Sequence, residues 1–144
     1  MWKELPQHPE KSGVMMCHRQ GEDVLFVTYG SMLDNVLQAA ELLEKEGIRA
    51  GIVRLLTLSA FPAEEIIKHL PKSGKVMVVE ETAHGSGISD RLGTALRSLE
   101  PSCQISALDL GPDYVPHGQI QKLYEYCGLD SESIAEKTKE WLKS

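Results

Sequence analysis

The stretch VVEETAHGSGISDRLG, residues 78 to 93, holds the side chains best placed by type to do chemistry. An apolar run meets two carboxylates, Glu80 and Glu81, then His84, then Gly85 and Gly87 on either side of Ser86. Three chemistries are open to such a set. The glycines let backbone N–H groups approach an anion, a helix opening after them adds free donors, and Ser86 adds a hydroxyl. The carboxylates could move a proton as acid and base. His84 could serve as a base oriented by Glu81.

Each reading has a plainer counterpart. A tight turn uses glycine, and a helix needs a start. A phosphate fingerprint would bring a G-x-G-x-x-G run or a Walker lysine, and neither is here; Glu80 and Glu81 at the mouth would also repel a phosphate. Neighbouring strand residues point to opposite faces, so Glu80 and Glu81 do not readily act on one atom. A surface or interface contact for one of them is the simpler expectation. A single loop histidine is more often solvated or capping than catalytic.

Two other loops carry polar groups. YGSM (29–32) lacks the G-x-S-x-G pattern of a nucleophile elbow and reads as a capped turn. In DLGPDYVPHG (109–118), Asp113 and His117 flank Pro116 and could touch a partner, although Pro112 and Pro116 equally describe a stiff connector. The five histidines are scattered with no i, i+4 pair, so no metal cluster is expected. Cys17, Cys103 and Cys127 form no C-x-x-C pair and read as small, reduced core residues of a cytoplasmic protein.

The elements that must hold these loops alternate. VMMCHR (14–19) reads as a short edge strand that runs antiparallel. DVLFVTYG (23–30), IRAGIVRLL (48–56), GKVMVVEE (74–81) and CQISALDL (103–110) are near-continuous apolar runs, the mark of strands buried on both faces. Between them, Leu33, Val36, Leu37, Ala40 and Leu43 recur at helical spacing after a Ser31/Asp34 capping box. Pro62 opens a second helix, and Ile88, Leu92, Ala95, Leu96 and Leu99 give the inner face of a third. HGQIQKLYEYCG (117–128) and a last helix capped by Asp130 or Ser131 follow. This pattern predicts a three-layer α/β/α domain: a mostly parallel five-stranded sheet with an antiparallel edge strand and helices on both faces. In such sheets ligands bind at the carboxyl ends of the strands, where all three loops lie.

The 144 residues suit one domain with one real core. Residues 1–13 read as a linker or tail, and 14–144 as the domain. A net charge of −6 without a basic block excludes a nucleic-acid or anionic-membrane surface. No apolar run approaches a membrane span, and MWKELPQHPEKSG lacks the apolar centre of a secretory signal.

Several stretches resemble the C-terminal domain of transketolase-like thiamine diphosphate enzymes. GEDVLFVTYGSMLDNVLQAAELLEKEGIRAGIVRL is similar to that domain's opening strand, Gly-Ser turn and Ala/Leu-rich helix. VMVVEETAHGSGISDRLGTAL resembles its Val-Glu-Glu strand and Gly-rich turn. LDLGPDYVPHGQIQKLYEYCGLDSESIAEKTKEWL, with Tyr-x-Pro-His-Gly ahead of Gly-Leu-Asp and a closing helix, is most similar to 1-deoxy-D-xylulose-5-phosphate synthase. The turn after Glu81 is shorter and poorer in glycine than in the synthase. That leaves transketolase and the beta subunit of a 2-oxo acid dehydrogenase as further members it resembles.

The resemblance implies a parent enzyme that uses thiamine diphosphate and magnesium, held by pyrimidine- and diphosphate-binding domains across a homodimer. The Gly-Asp-Gly run and downstream Asn-Asn of the diphosphate domain are missing here. It therefore implies a structural and assembly domain, without catalytic, cofactor-binding or metal-binding residues of its own and inactive alone. The alternative is a free-standing regulatory module binding a phosphorylated metabolite, with Glu81, His84, Gly85, Ser86, Gly87 and His117 as candidates for an anion, ligand or interface contact.

Overall fold

The computed structural model describes residues 15–56, 62–80, 88–108 and 129–143. The chain runs β1 (Met15–Arg19), β2 (Val24–Thr28), α1 (Leu33–Glu44), β3 (Ala50–Leu55), α2 (Ala63–Ile67), β4 (Lys75–Val79), α3 (Ser89–Leu99), β5 (Gln104–Leu108) and α4 (Ser131–Lys143). The five strands form one sheet in the order β1-β3-β2-β4-β5. β2, β3, β4 and β5 are parallel, and β1 lies antiparallel on β3 at one edge. The three-layer α/β architecture expected from the alternation is the one observed. The 117–128 helix and the 1–13 tail lie outside the described residues.

All five residues of β2 are buried, because each face of the sheet carries its own apolar layer. On one face Val24, Phe26, Ile52, Met77 and Val79 pack against Val36, Ala40 and Leu43 of α1 and Ile134 of α4. On the other, Leu25, Val27, Val53, Val76 and Val78 pack against Ile66 of α2 and Leu92 and Leu96 of α3. Fully burying a side chain of this size contributes roughly 1.5–3 kcal/mol, so the two layers supply the main driving force.

Where β1 turns toward β2, the backbones of Gly21 and β3 touch. A Cβ on Gly21 would sit 2.3 Å from the Gly51 nitrogen and 2.4 Å from the Ala50 carbonyl carbon. Only glycine fits this crossing, because the obstacle is backbone and cannot rotate away.

Three expectations need correction. β5 is not buried on both faces: among the described residues it is the second edge strand, and Ile105 through Leu108 are only partly buried. Leu99 does not face inward; it is 47% exposed at the end of α3. The N-cap of α1 is Met32, not the Ser31 that a Ser31/Asp34 capping box requires. Gly30, at φ +65°, starts a 3-10 turn over Gly30–Met32 that winds straight into α1, leaving Met32 at the N-cap without a side-chain bond. At α4 the expectation holds, since the Ser133 N–H donates to Asp130 Oδ2 at 3.2 Å.

Among the described residues, two polar groups held away from water bear on stability. Thr138 of α4 is fully buried, and its hydroxyl has no hydrogen-bond partner. A buried hydroxyl left unpaired costs about 1–3 kcal/mol. Thr138→Val keeps the shape and removes the group, so thermal denaturation should show a higher midpoint; an unchanged or lower one would remove this explanation.

His18 lies where the β1–β3 register breaks, between Cys17 and Arg19. Burial, and then the Arg54 charge, lower its pKa below the ordinary 6.5. The unfolded chain therefore takes up a proton that the folded chain resists. Stability is greatest above about pH 6.5 and falls as acid passes through that value. Denaturation midpoints followed from about pH 7.5 to 5.5 should fall less steeply for His18→Gln than for the parent; parallel slopes would show that His18 is not responsible.

Candidate functional site

The sheet is doubly wound. The chain leaves β2 for α1 on one face and leaves β4 for α3 on the other, although β2 and β4 are neighbours. The crevice between their carboxyl ends is the place where such sheets bind ligands. Here two of the chain's own side chains, Tyr29 and Glu80, meet at it.

The register pairs Val27 with Val78 and Thr28 with Val79, which makes Tyr29 and Glu80 the next pair along. Period-two alternation sends both toward the α3 layer, continuing the stripes of Val27 and Val78. The Thr28 hydroxyl donates to the Val79 carbonyl at 3.0 Å. The Tyr29 hydroxyl donates to Glu80 Oε1 at 3.2 Å, and the Ile88 N–H donates to the same oxygen at 2.5 Å. The Glu80 N–H reaches the Leu108 carbonyl at 2.8 Å. Glu80 is only 1% exposed.

One carboxylate thus ties β2, β4 and the start of α3 together. Ile88 is the N-cap residue of α3, so the charge sits at the positive end of the helix dipole. An anion approaching this helix end would have to share it with Glu80. The pair Glu80 and Glu81 is accordingly not a surface feature on the Glu80 side. Among the described residues, no group of three or more His, Cys, Asp or Glu side chains could hold a metal ion.

Glu81, His84, Gly85, Ser86, Gly87 and His117 all fall outside the described residues, as does Cys127. Cys17 and Cys103 are 3% and 4% exposed. Burial, the largest influence, pushes the Cys103 thiol up, which suits an inert core residue. Tyr29 is the site residue that reading the sequence missed, since YGSM looked only like a turn. Strand parity would have put Tyr29 and Glu80 on one face, but their meeting needs β2 and β4 to be adjacent.

Removing the carboxylate by Glu80→Ala leaves a phenol and an amide without their acceptor. Two such losses should lower stability by about 2–4 kcal/mol, whereas Tyr29→Phe should cost only about 1 kcal/mol. Glu80→Gln keeps an oxygen in place and should fall between them. Urea titration separates these cases, and a Glu80→Ala protein as stable as the parent would show that the clasp is idle.

The family model described as "Transketolase, C-terminal domain" matches residues 13–134. The chain is 32% identical over 138 residues to a 1-deoxy-D-xylulose-5-phosphate synthase of Heliobacterium modesticaldum, covering 96% of this chain and 21% of that protein. It is 37% identical over 113 residues to the pyruvate dehydrogenase E1 component subunit beta of Bacillus subtilis, covering 74% of this chain and 34% of that protein. Among solved structures, a split-gene transketolase described as an inactive beta4 tetramer superposes with a TM-score of 0.78 at 25% identity, over 96% of this chain and 47% of that one. The chain therefore spans about a fifth of the synthase and a third of the dehydrogenase subunit. No helix of the described residues is long and apolar enough to cross a membrane.

Proposed function

The chain belongs to the transketolase C-terminal domain family, and from that premise we propose that it is the structural and assembly part of a thiamine-diphosphate-dependent transferase. The reaction is that of 1-deoxy-D-xylulose-5-phosphate synthase: the two-carbon unit left when pyruvate loses carbon dioxide is joined to glyceraldehyde 3-phosphate in the cytoplasm, at the entry to isoprenoid precursors. The observation that carries the reading is the likeness to that synthase over 96% of this chain. Transketolase and a 2-oxo acid dehydrogenase beta subunit are the next members in line, the latter favoured by the 37% identity to the Bacillus protein.

In this reading the chain contributes packing surface, not a bond-breaking group. Pyrimidine- and diphosphate-binding partners, as further domains or a separate subunit, hold thiamine diphosphate and magnesium, and two copies assemble. The bonds to Glu80 support it. Tyr29, Glu80 and Ile88 satisfy one another, so the fold does not rely on a ligand at that place. In the regulatory-module reading, a bound anion would compete with Glu80 for the α3 N-cap amide.

Calorimetry on this chain with thiamine diphosphate and magnesium should show no heat of binding. Product should appear from pyruvate and glyceraldehyde 3-phosphate only once a polypeptide carrying the Gly-Asp-Gly and Asn-Asn motifs is added. Micromolar cofactor binding, or turnover by the chain alone, would overturn the proposal.

A further inference from the structure

The two edges of the sheet are built differently. β1 has a register break between Cys17 and Arg19 and carries His18 and Arg19, and the latter pairs with Glu44. A break in pairing and charged side chains are the usual guards against strand addition. β5, with the sequence QISAL, has no proline, no charge and a regular register along its inner side. Among the described residues no strand lies beyond it.

Beside β5 runs a groove of about 340 Å³, lined by Ser89, Asp90, Thr94 and Arg97 of α3 together with Ile105, Ser106 and Ala107. Gly93 sets the close approach of the helix to the strand: a Cβ there would lie 3.4 Å from Ile105 Cγ1 and 3.4 Å from an Arg97 guanidinium nitrogen. The Arg97 head therefore lies over Gly93, at the level of Ile105. Asp90 stands in the first turn of α3, which runs antiparallel to the strands and so begins at the carboxyl end of β5. Asp90 and Arg97 are both exposed, and among the described residues neither forms an ion pair.

We propose that β5 is the self-association edge, pairing antiparallel with β5 of a second copy about a two-fold axis at Ser106. The register then sets Ser106 against Ser106, Ile105 against Ala107 and Gln104 against Leu108, with no like charges opposed. The same axis carries Asp90 of one copy toward Arg97 of the other, and the converse pair forms by symmetry. This charge complementarity selects a copy of the same chain as the occupant. Five residues of strand bury less than the roughly 1,600 Å² of a standard interface, so the α3 flank is a necessary part of it.

The inference assigns a surface to the pairing of copies proposed above, but it needs no cofactor chemistry. Sedimentation velocity on the full 144-residue chain, across a concentration series, tests it. The parent should dimerise. Asp90→Arg places two arginines together, and Arg97→Asp two aspartates; each should weaken the dimer about tenfold or more. The double variant restores opposite signs and should recover the affinity, while far-UV circular dichroism checks that all three fold. A parent that stays monomeric, or a dimer indifferent to either single reversal, would overturn the proposal. The thiamine-enzyme reading would stand in either case, since it is tested by calorimetry and turnover.

Discussion

A strand without a polar side can exist only between two apolar layers, and β2 is such a strand. Val24, Phe26 and their neighbours on β3 and β4 call for α1 and α4 on one face; Leu25 and Val27 call for α2 and α3 on the other. The parallel direction follows, because strands joined through helices must return the same way. So does the winding: helices on both faces oblige the chain to leave β2 and β4 in opposite directions. The crevice between those strand ends is thus a by-product of burying β2 twice.

That crevice exposes the amide at the start of α3 and the last side chains of two central strands. Any fold of this type must satisfy them with water, a ligand or its own groups. Here Glu80 does so, assisted by Tyr29. Charge and position agree, since a carboxylate is the favourable partner for a helix N-terminus. The far end of the sheet is tied down comparably. Lys75 lies over the Trp141 ring at 5.1 Å and donates to the Trp141 carbonyl at 3.1 Å, a cation held near the C-terminal end of α4. Lys139 joins α4 to Glu46, just after α1.

The strands and most helices were legible because their signals are local. Apolar runs mark doubly buried strands, and Val36, Ala40 and Leu43 recur every turn of a helix. Strand order is not local. CQISALDL reads like a strand buried on both faces, but a run of apolar residues cannot say whether another strand lies beyond it, and among the described residues β5 is an edge. The Gly21 contact with β3 joins residues about thirty apart, and the Tyr29–Glu80 pair joins residues 51 apart. Each is visible only once neighbours in the sheet are known. The Ser31/Asp34 signal failed for a different reason: Gly30 offered the backbone another way into the helix.

The nature of the crevice bears on how such a domain can serve a larger enzyme. A binding loop held by its ligand is loose until the ligand arrives, and its partner surface is loose with it. A helix whose first amide is taken by a buried carboxylate of the same chain has its start fixed before anything binds. Glu80 stands immediately before residues 81–87 and Ile88 immediately after them, so the Glu80–Ile88 bond fixes the span between the loop's ends. An anion that took the Ile88 amide would displace Glu80 from it, leaving a buried carboxylate to find a new partner, which costs several kcal/mol before any gain. The arrangement favours a helix start held by the protein's own carboxylate over one held by a ligand.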